Sequence, residues 1–314
     1  MDVKPYGGWN RCLHVSNGKV DVVATLEVGP RIIRCGWSGE RNLFKEFDGH
    51  TGEAGGDEWR CYGGHRLWHA PESATRTYIP DNAPVQWHEA NATATLIQPV
   101  EKETGIQKHI DVWIHPTRPQ VRVVHRLRNL GVWEVEAAPW ALSVMAEEGR
   151  AIVPQEPYAP HPQALLPARP LVVWPYTNMM DKRLTFGRHF LLLRQMAGMQ
   201  GDPVKVGVRN TAGWCAYSLE GTVFLKRARF LPTAVYPDFG CNMEFFTNDE
   251  MLELETLGPL QRIPPGGEIT HEEHWFLFWA HLPAGEEELQ RALQPLLDRS
   301  RAWFEELCPP ASIP

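Results

Sequence analysis

The chain has 314 residues, a formal net charge of −7, and 43% hydrophobic residues. That apolar share supports a sizeable core and excludes a disordered chain. The acidic balance, with no lysine/arginine run, argues against nucleic acid as a partner, because phosphate binding wants a basic face.

The opening M-D-V-K-P-Y-G-G-W-N is polar, and no apolar run reaches the ~18 residues a membrane helix needs. The six cysteines contain no C-x-x-C pair and no zinc-finger spacing, so reduced, buried thiols are expected. Together these features predict a soluble cytoplasmic protein with no membrane partner. They say nothing of oligomeric state.

In chain order, Lys19–Val28 alternates as a strand, Gly29-Pro30 is a turn, and Arg31–Trp37 is the next strand. A short N-L-F-K-E-F follows at Asn42–Phe47, then a glycine-rich loop over Asp48–Asp57. Trp59–Glu72 reads W-R-C-Y-G-G-H-R-L-W-H-A-P-E, followed by a proline-marked irregular excursion. Ala92 to Met145 predicts a β-meander, with strands near Gly105–His115, Gln120–Asn129 and Glu134–Met145. Pro154 to Pro170 reads as a connection. Further strands are expected at Leu171–Trp174, Leu184–Gln195, Val204–Arg209, Trp214–Leu219 and Thr222–Phe230. A strand pair at Asn242–Phe246 and Met251–Leu257 follows, and Glu268–Trp279 is the last long strand. One helix is expected, from about 285 to 307, with Pro295 kinking or splitting it.

Fifteen or more strands with one helix exceed a small barrel. They fit two large antiparallel sheets packed face to face, an all-β sandwich in a single domain spanning 1–314.

Tyr236 to Pro259 carries glutamates inside strand pattern. Such carboxylates either face solvent or line a pocket, because burial without partners is costly. By alternation Glu253 and Glu255 share one face, and Leu252 and Leu254 the other. Glu244 shares a face with Phe246 and needs a cation if buried, for which Lys226 is a candidate. Asp181 fits a turn cap, and Asp238 a turn residue.

Around His65, arginine can hold hydroxyl pairs or carboxylates through its planar fork. Tryptophan can stack on a sugar face, and histidine can donate a proton near neutral pH. If this stretch is extended, Arg66 and Trp68 share one face, and His65 and His69 the other. Metal binding by His65, His69 and Glu72, or by His271, Glu273 and His274, is the lesser reading, since strand spacing sends neighbours to opposite faces. No G-x-S-x-G motif is present.

Several motifs resemble the galactose mutarotase-like (aldose 1-epimerase) superfamily. They are V-G-P-R-I-I-R-C-G-W with N-L-F-K-E, then G-G-H-R-L-W, and L-E-L-E-T-L-G-P followed by I-P-P-G-G. W-P-Y-T-N-M-M-D-K-R and Y-P-D-F-G-C-N-M-E are similar to a divergent bacterial branch of it. The resemblance implies a large antiparallel supersandwich and cofactor-independent interconversion of sugar anomers, with a small-molecule sugar or sugar derivative as partner. It implies Glu255 as the base and Arg66 as a substrate-binding arginine. The N-H-x-x-F-N segment whose histidine acts as general acid is missing, and A-P-W-A-L-S puts Trp140 in that place. His65 or His69 would then replace the acid. Trp68, Trp140, Asp181, Glu244 and Lys226 complete the expected sugar site, and no metal or cofactor is implied. The alternatives are a carbohydrate-binding protein that lost its acid, and a hydrolase or lyase using Glu244 or Asp181 as a second acid.

Overall fold

The computed structural model describes residues 1–309. Two large antiparallel sheets pack face to face. The first runs Asp2–Tyr6, Trp9–Ser16, Val20–Thr25, Arg31–Trp37, His65–Ala70, Val135–Met145, Leu252–Leu257, Met243–Thr247, Val204–Val208, Leu171–Val173, and the short Gln261–Ile263 also pairs with Val135–Met145. The second runs Leu184–Phe186, Phe190–Arg194, Arg150–Pro154, Trp214–Leu219, Thr222–Ala228, Glu268–Trp279, Gln120–Asn129, Ile106–Ile114, Thr93–Ile97, Gln86–Ala90.

Alternation explains the packing. Leu67, Met145, Leu254 and Phe245 point from the first sheet into the interior, where they meet Val121, Val123, Phe224 and Leu277 of the second. Because the side-chain period is two, the residues between them are sent to the outer face of the first sheet. That outer face is covered as well: all six residues of Leu252–Leu257 and of His65–Ala70 are buried.

The outer face of the second sheet is covered by the helix Glu286–Leu307. Leu289 and Leu293 are fully buried against Ile152, Phe190, Val223 and Phe276, with Trp303 and Phe304 half-buried beside them. Pro295 lies inside this helix, and the helix is continuous rather than split.

One other expectation changes. Leu184–Gln195 is not one strand but a hairpin that turns at Gly187, whose N–H donates to the Phe190 carbonyl at 2.9 Å. Asn42–Phe47 is no strand and keeps only isolated bridges at Phe44 and Glu46. The polar N-terminus forms two strands, which turn through Gly7 and Gly8 at positive φ.

The segment that carries Arg66 is positioned by Gly63 and Gly64, both at positive φ, +88° and +68°. A Cβ on Gly63 would overlap the Lys45 carbonyl, and one on Gly64 would overlap the backbone of Ile32 and Ile33. Only glycine lets three chain segments approach so closely there.

Candidate functional site

The outer face of the first sheet gathers the chemistry. Along one register row lie Arg66, Leu142, Glu255, Glu244 and Gly207, each opposite the next on adjacent strands. The neighbouring row holds Trp68, Trp140 and Leu257. Cross-strand neighbours sit close enough to interact directly. At Gly207 the space of a side chain is taken by Cys241 Sγ and the Trp174 ring, and Lys205, two residues away on the same face, reaches the carboxylates.

Lys205 Nζ lies 2.9 Å from Glu244 Oε2 and 3.1 Å from Glu255 Oε2. Trp140 Nε1 donates to Glu255 Oε2 at 2.8 Å. The ammonium also sits over the rings of Trp140 and Trp174, at 4.6 and 4.7 Å, a geometry in which the ring faces attract the cation. Beside this group, Arg66 Nη2 donates to Glu253 Oε1 at 2.9 Å. Its guanidinium is 4.3 Å from the centre of the Trp68 ring. Arg66 Nε and Nη1 are buried with no partner, as are Glu255 Oε1 and Glu244 Oε1. A buried polar edge without a partner is costly, and a bound polar ligand would satisfy it.

Burial pushes Glu255 up to about 7, against the downward pull of Lys205 and the Trp140 N–H. Burial also raises Glu244 well above the ordinary carboxylate range, Lys205 opposing and the neighbouring Glu255 adding to it. Burial opposes the charge on Lys205, yet Glu255 and Glu244 hold its pKa above the ordinary value. The site therefore pairs one readily protonated carboxyl with one that ionises near neutrality, over a fixed cation.

The site is not an open cleft. Glu244 and Glu255 have no exposed surface, and Trp140, Lys205 and Arg66 are nearly as buried. Trp59, Trp68 and Tyr78 pack edge to face or tilted on one another, with ring centres 5.3–5.9 Å apart. Tyr78 and Tyr176 are 40% and 41% exposed. Burial raises Tyr176 to about 12, with the Lys205 charge opposing and Glu255 and Glu244 adding to it.

His65 and His69 point the other way, as alternation requires of residues flanking Arg66 and Trp68. His65 is fully buried between the sheets, 2.8 Å from Ser143 Oγ and 2.7 Å from His125 Nε2. His69 is 3.5 Å from Glu101, which also pairs with Lys108. Neither histidine reaches the Glu255 face, so neither is the missing acid. Lys226 is not the partner of Glu244. It lies on the second sheet, 2.9 Å from Glu273 Oε1, and donates to the Leu254 carbonyl at 3.1 Å. Asp181 is a turn residue whose carboxylate is engaged by the Arg183 backbone N–H and guanidinium. Glu253 is not a surface residue; it is the ion-pair partner of Arg66.

Neither expected metal set is assembled. Two other groups converge among the described residues: His65, His125 and Glu273, and Glu272, His274 and Cys308. In the first, Lys226 already supplies the cation that Glu273 needs. Sequence reasoning missed Lys205, although a lysine inside the apolar alternation V-K-V-G-V is its signal. It also missed Trp59, Tyr78 and Tyr176, whose loops carry no periodicity to place them, and the role of Trp174 at the end of an expected strand.

No family model matches the chain, and no curated protein matches it. Solved structures do. A TPR-domain containing protein from Parabacteroides distasonis ATCC 8503 aligns with TM-score 0.58 and 11% identity, covering 88% of this chain and 49% of that one, so this chain spans about half of its length. A candidate aldose 1-epimerase from Escherichia coli K12 aligns with TM-score 0.54 and 12% identity over 85% of this chain and 99% of that one. A galactose mutarotase-like protein from Lactobacillus casei ATCC 334 aligns with TM-score 0.51 and 9% identity over 85% and 100%. The likeness lies in the fold, with little of it in the sequence: the chain has the galactose mutarotase-like fold in a divergent form.

Proposed function

We propose that the chain binds a carbohydrate against the Glu255 face and interconverts its anomers, as an aldose 1-epimerase does, without a cofactor. The observation that carries this reading is the pair of carboxyls on one ammonium: Glu255, with a pKa pushed up to about 7, and Glu244, raised well above its ordinary value. Environments that separate two carboxyls in this way assign a base and an acid.

Glu255 takes the proton of the anomeric hydroxyl, and Glu244 gives its proton to the ring oxygen. The bond between the anomeric carbon and the ring oxygen breaks as the aldehyde forms. Rotation about the first carbon–carbon bond and the reverse transfers close the ring on the other face. Arg66 offers its unpartnered edge to sugar hydroxyls, and Trp68 with Tyr78 offers stacking surface. Entry requires the aromatic cover to part.

A second reading, a binding protein without catalysis, is favoured by one observation. Trp140 and Lys205 both hold Glu255 Oε2, and the side chain has no exposed surface. Polarimetry of freshly dissolved α-sugars separates the two. Faster mutarotation by the wild type, reduced about 10²–10⁴-fold in both Glu255→Gln and Glu244→Gln, supports the epimerase. Thermal shifts with sugar but no acceleration support the binder, and neither effect across common hexoses and their phosphates overturns both.

A further inference from the structure

The second converging group lies on the other side of the molecule, where the C-terminal end of the last helix meets the second sheet. Glu272 and His274 alternate on one face of Glu268–Trp279, and Cys308 caps the helix Glu286–Leu307. Cys308 Sγ is 3.0 Å from Glu272 Oε1 and 3.5 Å from His274 Nε2, and His274 Nε2 is 2.7 Å from Glu272 Oε1. Three ligand atoms of different type thus face one point. Glu272 is held from behind by Arg122, whose Nε and Nη2 donate to its two oxygens at 2.8 and 3.0 Å.

A second, independent observation concerns Gln120. It is fully buried, its Nε2 is 3.3 Å from His274 Nδ1 and donates to the Trp303 carbonyl at 3.4 Å, and its Oε1 has no partner. Amide orientation is a matter of assignment. Metal binding would turn the amide over, exchanging the contact to the Trp303 carbonyl for an Nδ1–H bond from His274 to Oε1 and leaving the His274 Nε2 lone pair aimed at Glu272 and Cys308. Metal-bound histidines are commonly oriented in this way by a partner on the other ring nitrogen.

We propose that Glu272, His274 and Cys308 form a site for a zinc-type divalent cation that clamps the C-terminal helix to the second sheet. Tetrahedral zinc with these ligands needs ligand atoms about 3.3–3.7 Å apart, so the Glu272 and His274 atoms separate slightly on binding. The Cys308 thiol loses its proton to solvent, and the thiolate forms the metal–sulfur bond. Glu272 and Cys308 are only half-buried, so the ion has a path in and a fourth position remains for water.

The test is titration of the full-length reduced protein with Co²⁺ and Zn²⁺. One Co²⁺ per chain with a near-ultraviolet thiolate-to-cobalt charge-transfer band is expected, competed away by Zn²⁺, together with a raised melting temperature and protection of one thiol from Ellman's reagent. The band should vanish in Cys308→Ser and in His274→Gln, persist in Cys61→Ser, and need about 10–100-fold more metal in Gln120→Leu. Cys308 ends the helix, so Cys308→Ser should fold, and its circular dichroism checks this. No thiolate–cobalt band in the wild type, or a band that survives Cys308→Ser, overturns the site.

Discussion

Lys205 Nζ lies 3.1 Å from Glu255 Oε2, inside a layer from which water is excluded. The same ammonium holds Glu244, so one cation faces two carboxyls and the set balances only if one carboxyl keeps its proton. The shared proton is what gives the pair its separated acid and base character. A buried pair is not by itself a source of stability, but removing one partner strands charge in a low-dielectric layer.

Lys205→Met tests that accounting. At about pH 8 the variant should lose roughly 3–5 kcal/mol in urea unfolding, the cost of leaving buried carboxylates uncompensated. At about pH 5 the loss should be much smaller, because both carboxyls then fold protonated. An equal loss at both values would mean that the lysine acts through its packing on Trp140 and Trp174, with no part in neutralising Glu244 and Glu255.

The sequence made much of this site legible, though not its depth. Glu253 and Glu255 on one face and leucines on the other follow from period-two alternation, which any strand obeys. The same rule separates Arg66 and Trp68 from His65 and His69, so an acid role for those histidines on the Glu255 face conflicts with strand alternation. Lys226 is a candidate partner of Glu244 on residue type alone, and Lys205 takes that place because it lies on the adjacent strand. Strand partners are set by topology, which local pattern does not encode. The aromatic cover was illegible for a related reason: Trp59, Tyr78 and Tyr176 sit in loops without periodicity, Trp174 follows a short strand, and only tertiary packing brings them over the sheet.

The approach of His65–Ala70 to its neighbours depends on Gly63. Gly63→Ala should cost about 3 kcal/mol or more, since it combines a positive φ of +88° with overlap on the Lys45 backbone, which cannot rotate away. Gly266→Ala is the matched control, with a φ of +77° and nothing within 4 Å of its Cβ. It should cost only the strain, about 1 kcal/mol. Equal losses in chemical denaturation would remove the close-approach argument for Gly63.

Between the sheets, His65 and His125 are held below their ordinary 6.5, chiefly by burial, with Lys226 adding and Glu273 opposing. Their folded pKa values are depressed, so the unfolded chain takes up protons that the native state refuses. The stability they support is fully present above about pH 6.5 and is lost as pH falls, by up to about 1.4 kcal/mol per pH unit for each histidine. Glu255 has the opposite sign: its folded pKa is raised from 4.5 to about 7, so its contribution is present below the lower value and is lost as pH rises through the higher one. Between about pH 5 and 6.5 the two effects oppose each other, and single variants should pull them apart. His125→Gln cannot titrate, so its stability should rise less steeply with pH than that of the wild type. Glu255→Gln removes the opposing contribution, so its stability should rise more steeply. Urea unfolding at several pH values across this window measures both slopes. If both variants shifted the slope in the same direction, either the histidines would be charged in the native core or Glu255 would ionise there as freely as in water.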